Sequence, residues 1–277
     1  MDYNREYFKG KTAVVTGAAS GIGLALVEEL LESGASRAVM ADINEAGLEE
    51  HEKRLKTQYG EDRVKGIVCN VTVEENIKNL IDGSAEFFGT SSGGKLDILF
   101  NNAGAAFAGL FGDMKNEQWK AAFDLNFYSA LYGMRAVIPI MIKQGGGQII
   151  NIISGIAFAP MAEQTIYSAT KAALNGLSLA MRYEHWDDNI KISSATPGTT
   201  VTAIFKASGV TPPDSAQTPH QSASRILNGV VSNERIIFGD DSDLNGSRDC
   251  FSFEVSEGKD AYFLHNARER RAGNLVF

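Results

Sequence analysis

Short apolar runs alternate along the whole chain with amphipathic stretches that have helical spacing. Near-continuous apolar runs are typical of strands buried on both faces, and a helix after each strand predicts βαβ units. The predicted strands are residues 11–16, 38–41, 64–69, 96–100, 148–153, 190–195 and 235–238. The predicted helices are residues 21–33, 45–58, 74–88, 117–143, 165–186 and 259–271. The sequence therefore predicts an α/β fold, with a doubly wound, mostly parallel sheet of about seven strands and helices on both faces.

The size of the chain suits one domain with a substantial core, because 44% of its 277 residues are hydrophobic. No linker divides the sequence, so we expect a single domain over residues 1–277. Residues 211–220 are rich in Pro, Ser and Thr and predict a loop.

Charge and patterning exclude several classes of function. A formal net charge of −8 argues against a nucleic-acid groove, which needs clustered Lys and Arg. No apolar run approaches the roughly 20 residues of a membrane span, and the polar first eight residues do not resemble a secretory signal. Two cysteines are too few for a disulfide framework. We therefore expect a cytoplasmic protein that binds a small molecule and neither nucleic acid nor membrane.

A glycine-rich segment, TGAASGIG at residues 16–23, joins the first strand to the first helix. Glycines permit a tight turn and a close approach of the backbone to a pyrophosphate, which the free N–H groups of a helix N-terminus attract. A purely structural turn is the alternative, since such loops alone are weak indications. The position between a strand and a helix favours dinucleotide binding.

Asp42 ends the second predicted strand, 19 residues after Gly23. That offset is close to the ~20 residues expected for the acid that binds an adenosine ribose. Its carboxylate would accept from both ribose hydroxyls and repel a 2′-phosphate, and Ser20, Ile43 and Asn44 supply no positive charge. NAD is therefore favoured over NADP. The alternative is that Asp42 caps the next helix.

Tyr167 and Lys171 lie four residues apart on a predicted helix, so their side chains share one face. A tyrosine with its ordinary pKa near 10 is a poor base at neutral pH. A neighbouring ammonium, together with a positively charged nicotinamide ring, would lower that pKa. Ser154 follows the strand at residues 148–153, at the edge where open α/β sheets gather their chemistry. The three residues predict a site for proton transfer.

These motifs resemble those of the short-chain dehydrogenase/reductase family, in the family's order and spacing over nearly 200 residues. The resemblance implies a single-domain Rossmann fold in which residues from about 200 to 277 form a variable substrate lobe and C-terminal extension. The matching residues are Thr16 to Gly23, Asp42, Asn101, Asn102, Ala103, Gly104, Asn126, Ser154, Tyr167, Lys171, Pro197 and Gly198. One departure is Asn70, where many members carry Asp before Val71.

By that resemblance, Tyr167 is the general acid/base, Ser154 hydrogen-bonds the substrate oxygen, and Lys171 binds the nicotinamide ribose. Asn126 looks like the family's relay asparagine, which holds a water between Lys171 and solvent. A helix-interior Asn bonded to backbone is the alternative. The residues expected to bind the cofactor are Gly17, Ala19, Ser20, Gly21, Ile22, Gly23, Asp42, Ile43, Asn70, Val71, Asn102, Ala103, Gly104, Tyr167, Lys171, Pro197, Gly198, Thr200 and Thr202.

Substrate contacts are expected from apolar side chains in segments that line the substrate cleft in this family: Phe107, Phe158, Met161 and Phe205. They favour an apolar or bulky substrate, such as a steroid-like or long-chain secondary alcohol, although they could equally be core or interface residues. The helix at 165–186 is apolar around much of its circumference, which indicates burial on two sides. The family is commonly dimeric or tetrameric, so we expect a homodimer or homotetramer.

No metal site is expected. Residues 241–246, DSDLNG, match the first half of a calcium loop, but Ser252 stands where a bidentate Glu is required. We interpret this segment as a solvated acidic turn.

The leading hypothesis is an NAD-dependent oxidoreductase that interconverts a secondary alcohol and a ketone, with hydride passing to or from the cofactor. An NADP-dependent carbonyl reductase of the same family is the first alternative. A dinucleotide-binding sensor without catalysis is the second.

Overall fold

The computed structural model describes residues 3–89, 94–202, 211–252, 254 and 256–274, and in this part of the chain seven strands form one sheet. The strands are β1 Thr12–Thr16, β2 Arg37–Asp42, β3 Val64–Val68, β4 Ile98–Asn101, β5 Gly147–Ile152, β6 Ile190–Thr196 and β7 Ile236–Phe238. Their order is β3-β2-β1-β4-β5-β6-β7, and every neighbouring pair is parallel. The predicted doubly wound parallel sheet is confirmed.

Helices cover both faces of this sheet. They are α1 Gly21–Glu32, α2 Glu45–Tyr59, α3 Glu74–Phe88, α4 Asn116–Phe123, α5 Ser129–Gln144, α6 Thr165–Glu184, α7 Pro219–Val231, α8 Asp241–Cys250 and α9 Ser256–Arg271. On one face, Leu26 of α1 and Ile226 of α7 lie in the same core cluster. On the other, Ile77 of α3 and Val137 of α5 lie in a second cluster. The two apolar layers hold the sheet between them, as parallel sheets require.

The end of α1 is determined by a glycine in the sequence. Gly34 has φ +86°, a left-handed conformation that ends the helix, and its N–H donates to the Leu31 carbonyl. The chain then enters β2, whose inner residues are buried.

One predicted helix is interrupted. The helix expected over residues 117–143 divides into α4 and α5, with a π-helical turn, Asp124–Tyr128, between them. A π-turn inserts extra backbone into a helix, often at a functional site. Here it contains Asn126.

Two predictions for the C-terminal part were wrong. The loop expected over residues 211–220 ends earlier, because Pro219 begins α7 and Thr218 caps it with a hydrogen bond from the N–H of Gln221. The acidic turn expected at residues 241–246 is instead the start of α8, because Asp240 caps it by accepting from the N–H of Asp243.

Among the described residues, one helical stretch, Asn116–Gln144, has the length and composition to cross a membrane. Of its qualifying window, 44% is buried inside the fold, and Met134, Val137 and Met141 lie in the second core cluster. Core helices of soluble proteins pass the same test, so the stretch is explained by its packing.

Candidate active site

The residues predicted for the site lie at one edge of the sheet. The loops that contain them follow the carboxyl ends of the strands, which all point the same way in a parallel sheet. The glycine loop follows β1, Asp42 ends β2, Asn102 follows β4, Ser154 follows β5 and Pro197 follows β6. The strand order reverses between β1 and β4, so the glycine loop after β1 lies at the switch point where such sheets bind ligands.

Backbone geometry in the glycine loop depends on its glycines. Gly17 and Gly21 have φ of +66° and +55°, conformations that side chains disfavour. A Cβ on Gly23 would clash with the carbonyl oxygen of Gly17. Ser20 stands at the N-cap of α1 without a side-chain cap, so the first N–H groups of this helix are not used by it.

The glycine loop is fixed to the loop after β4. The side-chain amide of Asn102 donates to the carbonyl oxygens of Thr16 at 2.8 Å and Gly17 at 3.2 Å. In return, the Thr16 hydroxyl accepts from the N–H groups of Asn102 at 3.0 Å and Ala103 at 3.1 Å. These four bonds fix the glycine loop and the loop after β4 relative to each other. The two loops would face the two halves of a dinucleotide.

Asp42 connects β2 to the same loop. Its Oδ2 accepts from the N–H of Ala19 at 3.0 Å, and its Oδ1 accepts from the N–H of Asn44 at 3.0 Å. The cap of α2 is Asn44, whose side chain accepts from the N–H of Gly47 at 3.2 Å. The alternative in which Asp42 caps that helix is therefore wrong. Each carboxylate oxygen retains a lone pair for a further donor.

A cleft of about 590 Å³ opens over these loops. Of the residues predicted to bind cofactor, it is lined by Gly17, Ser20, Gly21, Ile22, Gly23, Asp42, Ile43, Asn70, Val71, Asn102, Ala103, Gly104 and Thr202. Ala19, also predicted to bind cofactor, is a buried residue of the glycine loop and does not line the cleft. The cleft is also lined by Cys69, Thr72 and Leu125, which sequence reasoning missed as site residues. The position of Cys69 and Thr72 directly after β3 was the signal that could have found them.

The residues predicted to transfer protons lie close to one another. The ammonium of Lys171, which is 3% exposed, donates to the carbonyl of Ile152 at 2.8 Å and lies 5.8 Å from the ring centroid of Tyr167. Ser154 hydrogen-bonds the Tyr167 hydroxyl and lowers its pKa. A Cβ on Gly104 would lie 3.2 Å from the Lys171 Nζ, so the glycine permits the loop after β4 to reach this site.

The pKa of Tyr167 differs from the sequence-based expectation. Burial of the phenol raises the pKa, the hydrogen bond from Ser154 opposes that rise, and the negative charge of Asp243 adds to it. Desolvation penalises the phenolate more than its surroundings compensate. Burial also lowers the pKa of Lys171 to about 8. Lys171 without the cofactor therefore does not lower the pKa of Tyr167 below its ordinary value, in contrast to the expectation for Lys171 together with the nicotinamide ring.

Asn126, which is 1% exposed, links three parts of the site from the π-turn. Its side chain accepts from the N–H of Ala105 at 3.0 Å and donates to the carbonyl of Ala105 at 2.9 Å. It also donates to the hydroxyl of Thr170 at 3.3 Å, next to Lys171. Asn126 is bonded to backbone, but to that of the loop after β4 and not to its own helix. Its role as a proton relay stays a prediction.

A second cavity, of about 690 Å³, lies beside the cleft and contains Ser154 and Tyr167 in its wall. Pro197, Gly198 and Thr200, predicted to bind cofactor, line this second cavity and do not line the cleft, while Thr202 lines both. The Thr200 hydroxyl donates to the carbonyls of Pro197 and Gly198.

The predicted substrate residues are placed differently from one another. Met161 lines the second cavity. Phe158 does not, because its ring packs on Phe238 with centroids 5.9 Å apart. Phe107 is half-buried and is not among the described residues of the cavity wall, and Phe205 lies outside the described residues. The wall is instead rich in polar groups, among them Gln164, Thr199, Ser215, Ser242, Asp243, Asn245 and Arg270.

Among the described residues, no group of three or more His, Cys, Asp or Glu side chains is placed so that it could hold a metal ion.

The protein-family model described as short chain dehydrogenase matches residues 11–212. An uncharacterised oxidoreductase of Staphylococcus epidermidis is 35% identical over 190 residues, which cover 69% of this chain and 78% of that protein. The fold and site thus define an oxidoreductase of the dinucleotide-binding α/β class. The chain belongs to the short-chain dehydrogenase/reductase family.

Solved structures of similar fold agree with that assignment. A short-chain dehydrogenase/reductase from Burkholderia phymatum in complex with NAD has a TM-score of 0.79 at 25% identity and covers 91% of this chain and 96% of its own. L-sorbose reductase from Gluconobacter frateurii, complexed with NADPH and L-sorbose, has a TM-score of 0.72 at 28% identity. It covers 83% of this chain and 95% of its own. The similar structures therefore include proteins with either cofactor.

Proposed function

We propose that this chain is an NAD(H)-dependent oxidoreductase that interconverts a secondary alcohol and a ketone. The observation that carries the proposal is that Ser154 and Tyr167 line a second cavity beside a dinucleotide-sized cleft, with the Lys171 ammonium 5.8 Å from the ring centroid of Tyr167. A cleft and an adjoining cavity that holds groups able to transfer a proton suit two ligands that react with each other.

The residues of the cleft fit a dinucleotide. Gly21 leaves open space that a side chain would fill, and Gly23 permits the close approach of the loop at Gly17, beside the uncapped first turn of α1. Anions bind at such a helix N-terminus. The adenosine ribose would lie at Asp42, and Asn102, Ala103 and Gly104 would line the nicotinamide half. When bound, the dinucleotide supplies the hydride acceptor or donor.

In the proposed reaction, Tyr167 holds or moves the proton at its phenolic oxygen. In alcohol oxidation the phenolate accepts the hydroxyl proton of the substrate, and in ketone reduction the phenol returns a proton to the carbonyl oxygen. Ser154 hydrogen-bonds the same substrate oxygen and orients it. Lys171 places a positive charge beside the phenol, and Asn126 would connect Lys171 to solvent through a water.

NAD is the proposed cofactor because Asp42 is the acid at the end of β2. Its carboxylate has lone pairs left for ribose hydroxyls, and its negative charge would repel a 2′-phosphate. A comparison of kcat/KM with NAD and NADP tests this assignment. A preference for NADP would favour the carbonyl-reductase alternative instead.

The substrate is proposed to be bulky, because the second cavity measures about 690 Å³. Residues after about 200 form the substrate lobe in this proposal, since Ser215, Asp243 and Tyr262 contribute to the cavity wall.

We further propose a homodimer or homotetramer in the cytoplasm. Along α6, Leu174 and Ser178 belong to one buried stripe, whereas Leu179 is half-buried and Tyr183 is exposed, as is Trp186 just beyond the end of the helix. A partner subunit would cover these side chains. Light scattering coupled to size-exclusion chromatography would test the assembly, and a monomer over a wide concentration range would contradict it.

The experiment that tests the oxidoreductase proposal follows the absorbance of reduced cofactor with a set of secondary alcohols and ketones. We expect turnover by the wild type and a loss of about 1000-fold or more in Tyr167→Phe, with NADH binding retained. Unchanged turnover in this variant would contradict the role of Tyr167.

A further inference from the structure

A third cavity, of about 190 Å³, lies at the edge of the sheet opposite the candidate active site. Its wall contains residues at the amino ends of four neighbouring strands. Lys11 precedes β1, Asp97 precedes β4, Gly147 begins β5 and Lys191 is the second residue of β6. The loops of the candidate active site follow the carboxyl ends of these same strands, so the third cavity is separate from that site.

Three lysines from separate segments of the chain line the third cavity: Lys11, Lys95 and Lys191. In the described part of the chain, none of their ammonium groups forms a salt bridge or donates a hydrogen bond. A shortage of acids does not explain this, because the sequence has 34 Asp and Glu against 26 Lys and Arg. Lysines that do pair with a nearby acid are Lys9, Lys56, Lys78 and Lys120.

Two of the three ammonium groups lie near one aromatic ring. The Nζ atoms of Lys11 and Lys191 are 4.9 Å and 5.8 Å from the ring centroid of Tyr7. The ring is held in place, because the Tyr7 hydroxyl donates to the side-chain oxygen of Gln148 on β5 at 2.9 Å. The attraction of each ammonium to the ring offsets part of the repulsion between the two positive charges. The ring gives no such contact to Lys95, whose charge adds to that repulsion.

One acid, Asp97, also lines the third cavity. Its Oδ2 accepts from the N–H of Thr12 at 2.9 Å and from the Thr12 hydroxyl at 3.4 Å. The carboxylate thus joins the start of β4 to the start of β1 and forms no salt bridge with the three lysines. Three positive charges and one negative charge leave a net charge of +2 in the wall.

We propose that the third cavity binds a small oxyanion with two negative charges, namely phosphate or the phosphate group of a monoester. A dianion matches the net charge of the wall, and the three ammonium groups are donors that such an anion would accept from. The volume of about 190 Å³ is smaller than the roughly 300 Å³ at which pockets for drug-sized molecules begin, so it suits a group of a few atoms. The site is additional to the oxidoreductase function and does not depend on it.

The end of α5 offers a structural explanation for the same lysines. This helix ends at Gln144, next to Gly145 and Gly146 in the cavity wall, and cations are stabilised near the carbonyl end of a helix. The carbonyls of Met141 and Ile142 are already occupied, because they accept from the N–H groups of Gly146 and Gly145. The two explanations predict opposite effects when a lysine is removed, and this difference decides between them.

The first measurement is the melting temperature at pH 8, with NADH in excess so that the glycine loop cannot bind the added anion. Phosphate at 10 times its dissociation constant should raise the melting temperature of the wild type by about 2–5 °C, compared with NaCl of equal ionic strength. Lys95→Gln and Lys191→Gln should lose most of this rise. The matched control is Lys53→Gln, which removes an exposed lysine on α2 and should keep it.

The second measurement is calorimetric titration of the same proteins with phosphate and with glycerol phosphate. Loss of one hydrogen bond from an ammonium should weaken binding by about 10-fold or more in Lys95→Gln and Lys191→Gln. Glycerol phosphate distinguishes the two sources of the anion. Binding at least as tight as that of phosphate would indicate a monoester, and binding of phosphate alone would indicate the free ion.

Lys95→Gln without phosphate, at low salt, separates an anion site from a role at the end of α5. We expect its melting temperature to be higher than that of the wild type, because one of three like charges is gone. With phosphate the order should reverse. A lower melting temperature in both media would overturn the inference in favour of the helix end.

Three further results would overturn the inference. They are equal effects of phosphate and NaCl on the wild type, binding of phosphate that disappears when NADH is in excess, and unchanged binding in Lys95→Gln and Lys191→Gln. Failure of the oxidoreductase proposal would appear instead as absence of turnover. The lysine variants would then still decide whether the third cavity binds the anion.

Discussion

The carboxylate of Asp42 accepts a hydrogen bond from the backbone N–H of Ala19 at 3.0 Å, which joins the end of β2 to the loop after β1. The same side chain therefore positions the glycine loop and is the candidate acceptor for the ribose. One substitution at Asp42 would affect both.

For Asp42→Ala we expect the affinity for NADH to fall by about 10- to 100-fold, because hydrogen bonds to a charged acceptor are lost. The ratio of kcat/KM for NAD over NADP should fall as well, since the charge that repels a 2′-phosphate is gone. Fluorescence titration with NADH and NADPH measures both effects. Asp82→Ala removes an exposed acid on α3 and is the control. An unchanged cofactor ratio in Asp42→Ala would contradict the assignment.

Gly23→Ala tests the close approach within the glycine loop. Its Cβ would clash with the Gly17 carbonyl and lie 2.6 Å from the Asn102 side-chain nitrogen, so backbone must move. We expect a loss of about 1–3 kcal/mol in the free energy of unfolding, typical of overpacking, and much weaker binding of NADH. Denaturant unfolding and NADH titration measure the two.

Gly176→Ala is the matched control for that variant, because a Cβ there meets open space on the exposed side of α6. It should raise the free energy of unfolding by about 0.5–1 kcal/mol, the helix preference of alanine over glycine. Equal effects of the two substitutions would show that the glycine loop tolerates a side chain.

Ser154→Ala should move the pH profile of the reaction. The hydrogen bond from Ser154 lowers the pKa of Tyr167, so its removal raises that pKa. Alcohol oxidation needs the phenolate, and the rise of kcat/KM with pH should therefore occur at higher pH in the variant than in the wild type. The measurement is kcat/KM against pH with NAD in excess. A profile that falls in height without moving would show that Ser154 acts on the substrate alone.

Asp243→Asn should change the stability of the fold in a pH-dependent way. Burial raises the pKa of this carboxyl from 3.8 to about 6 in the folded chain. As pH rises between these values, the unfolded chain loses its proton first, and the folded state becomes less stable by on the order of 3 kcal/mol above pH ~6. The variant should lack this loss, so it should be more stable than the wild type at neutral pH and not near pH ~4.

Denaturant unfolding at the two pH values tests the effect, with Asp241→Asn as the exposed control. A wild-type advantage at neutral pH would show that the Asp243 carboxylate is satisfied within the fold.

The sheet could be predicted because buried parallel strands appear as apolar runs in the sequence. The proximity of Tyr167 and Lys171 follows from their spacing of four residues on one helix, whereas their role in proton transfer, with Ser154, stays a prediction. Helix α7 was missed although Ala223, Ile226, Leu227 and Val230 have helical spacing and Thr218 begins a capping box. The Pro- and Ser-rich residues before it had suggested a loop.

Other features could not be predicted because they depend on tertiary contacts. The raised pKa of Tyr167 results from burial, which no spacing reveals. The orientation of Asp243 toward Gly155 arises where α8 meets the end of β5, far apart in the chain. The separate placement of Phe158, on the ring of Phe238, likewise arises from packing between distant segments.

The hydrogen bond from Lys171 to the carbonyl of Ile152 makes activity depend on the folding of the whole sheet. The ammonium is positioned by β5, which is paired on both sides within the sheet. A chain with an unfinished sheet would lack this support, as well as the contact between the loops after β1 and β4 at Asn102 and Ala103. During refolding, turnover should therefore return only when the whole sheet has formed. No fragment or partly folded intermediate should have measurable activity.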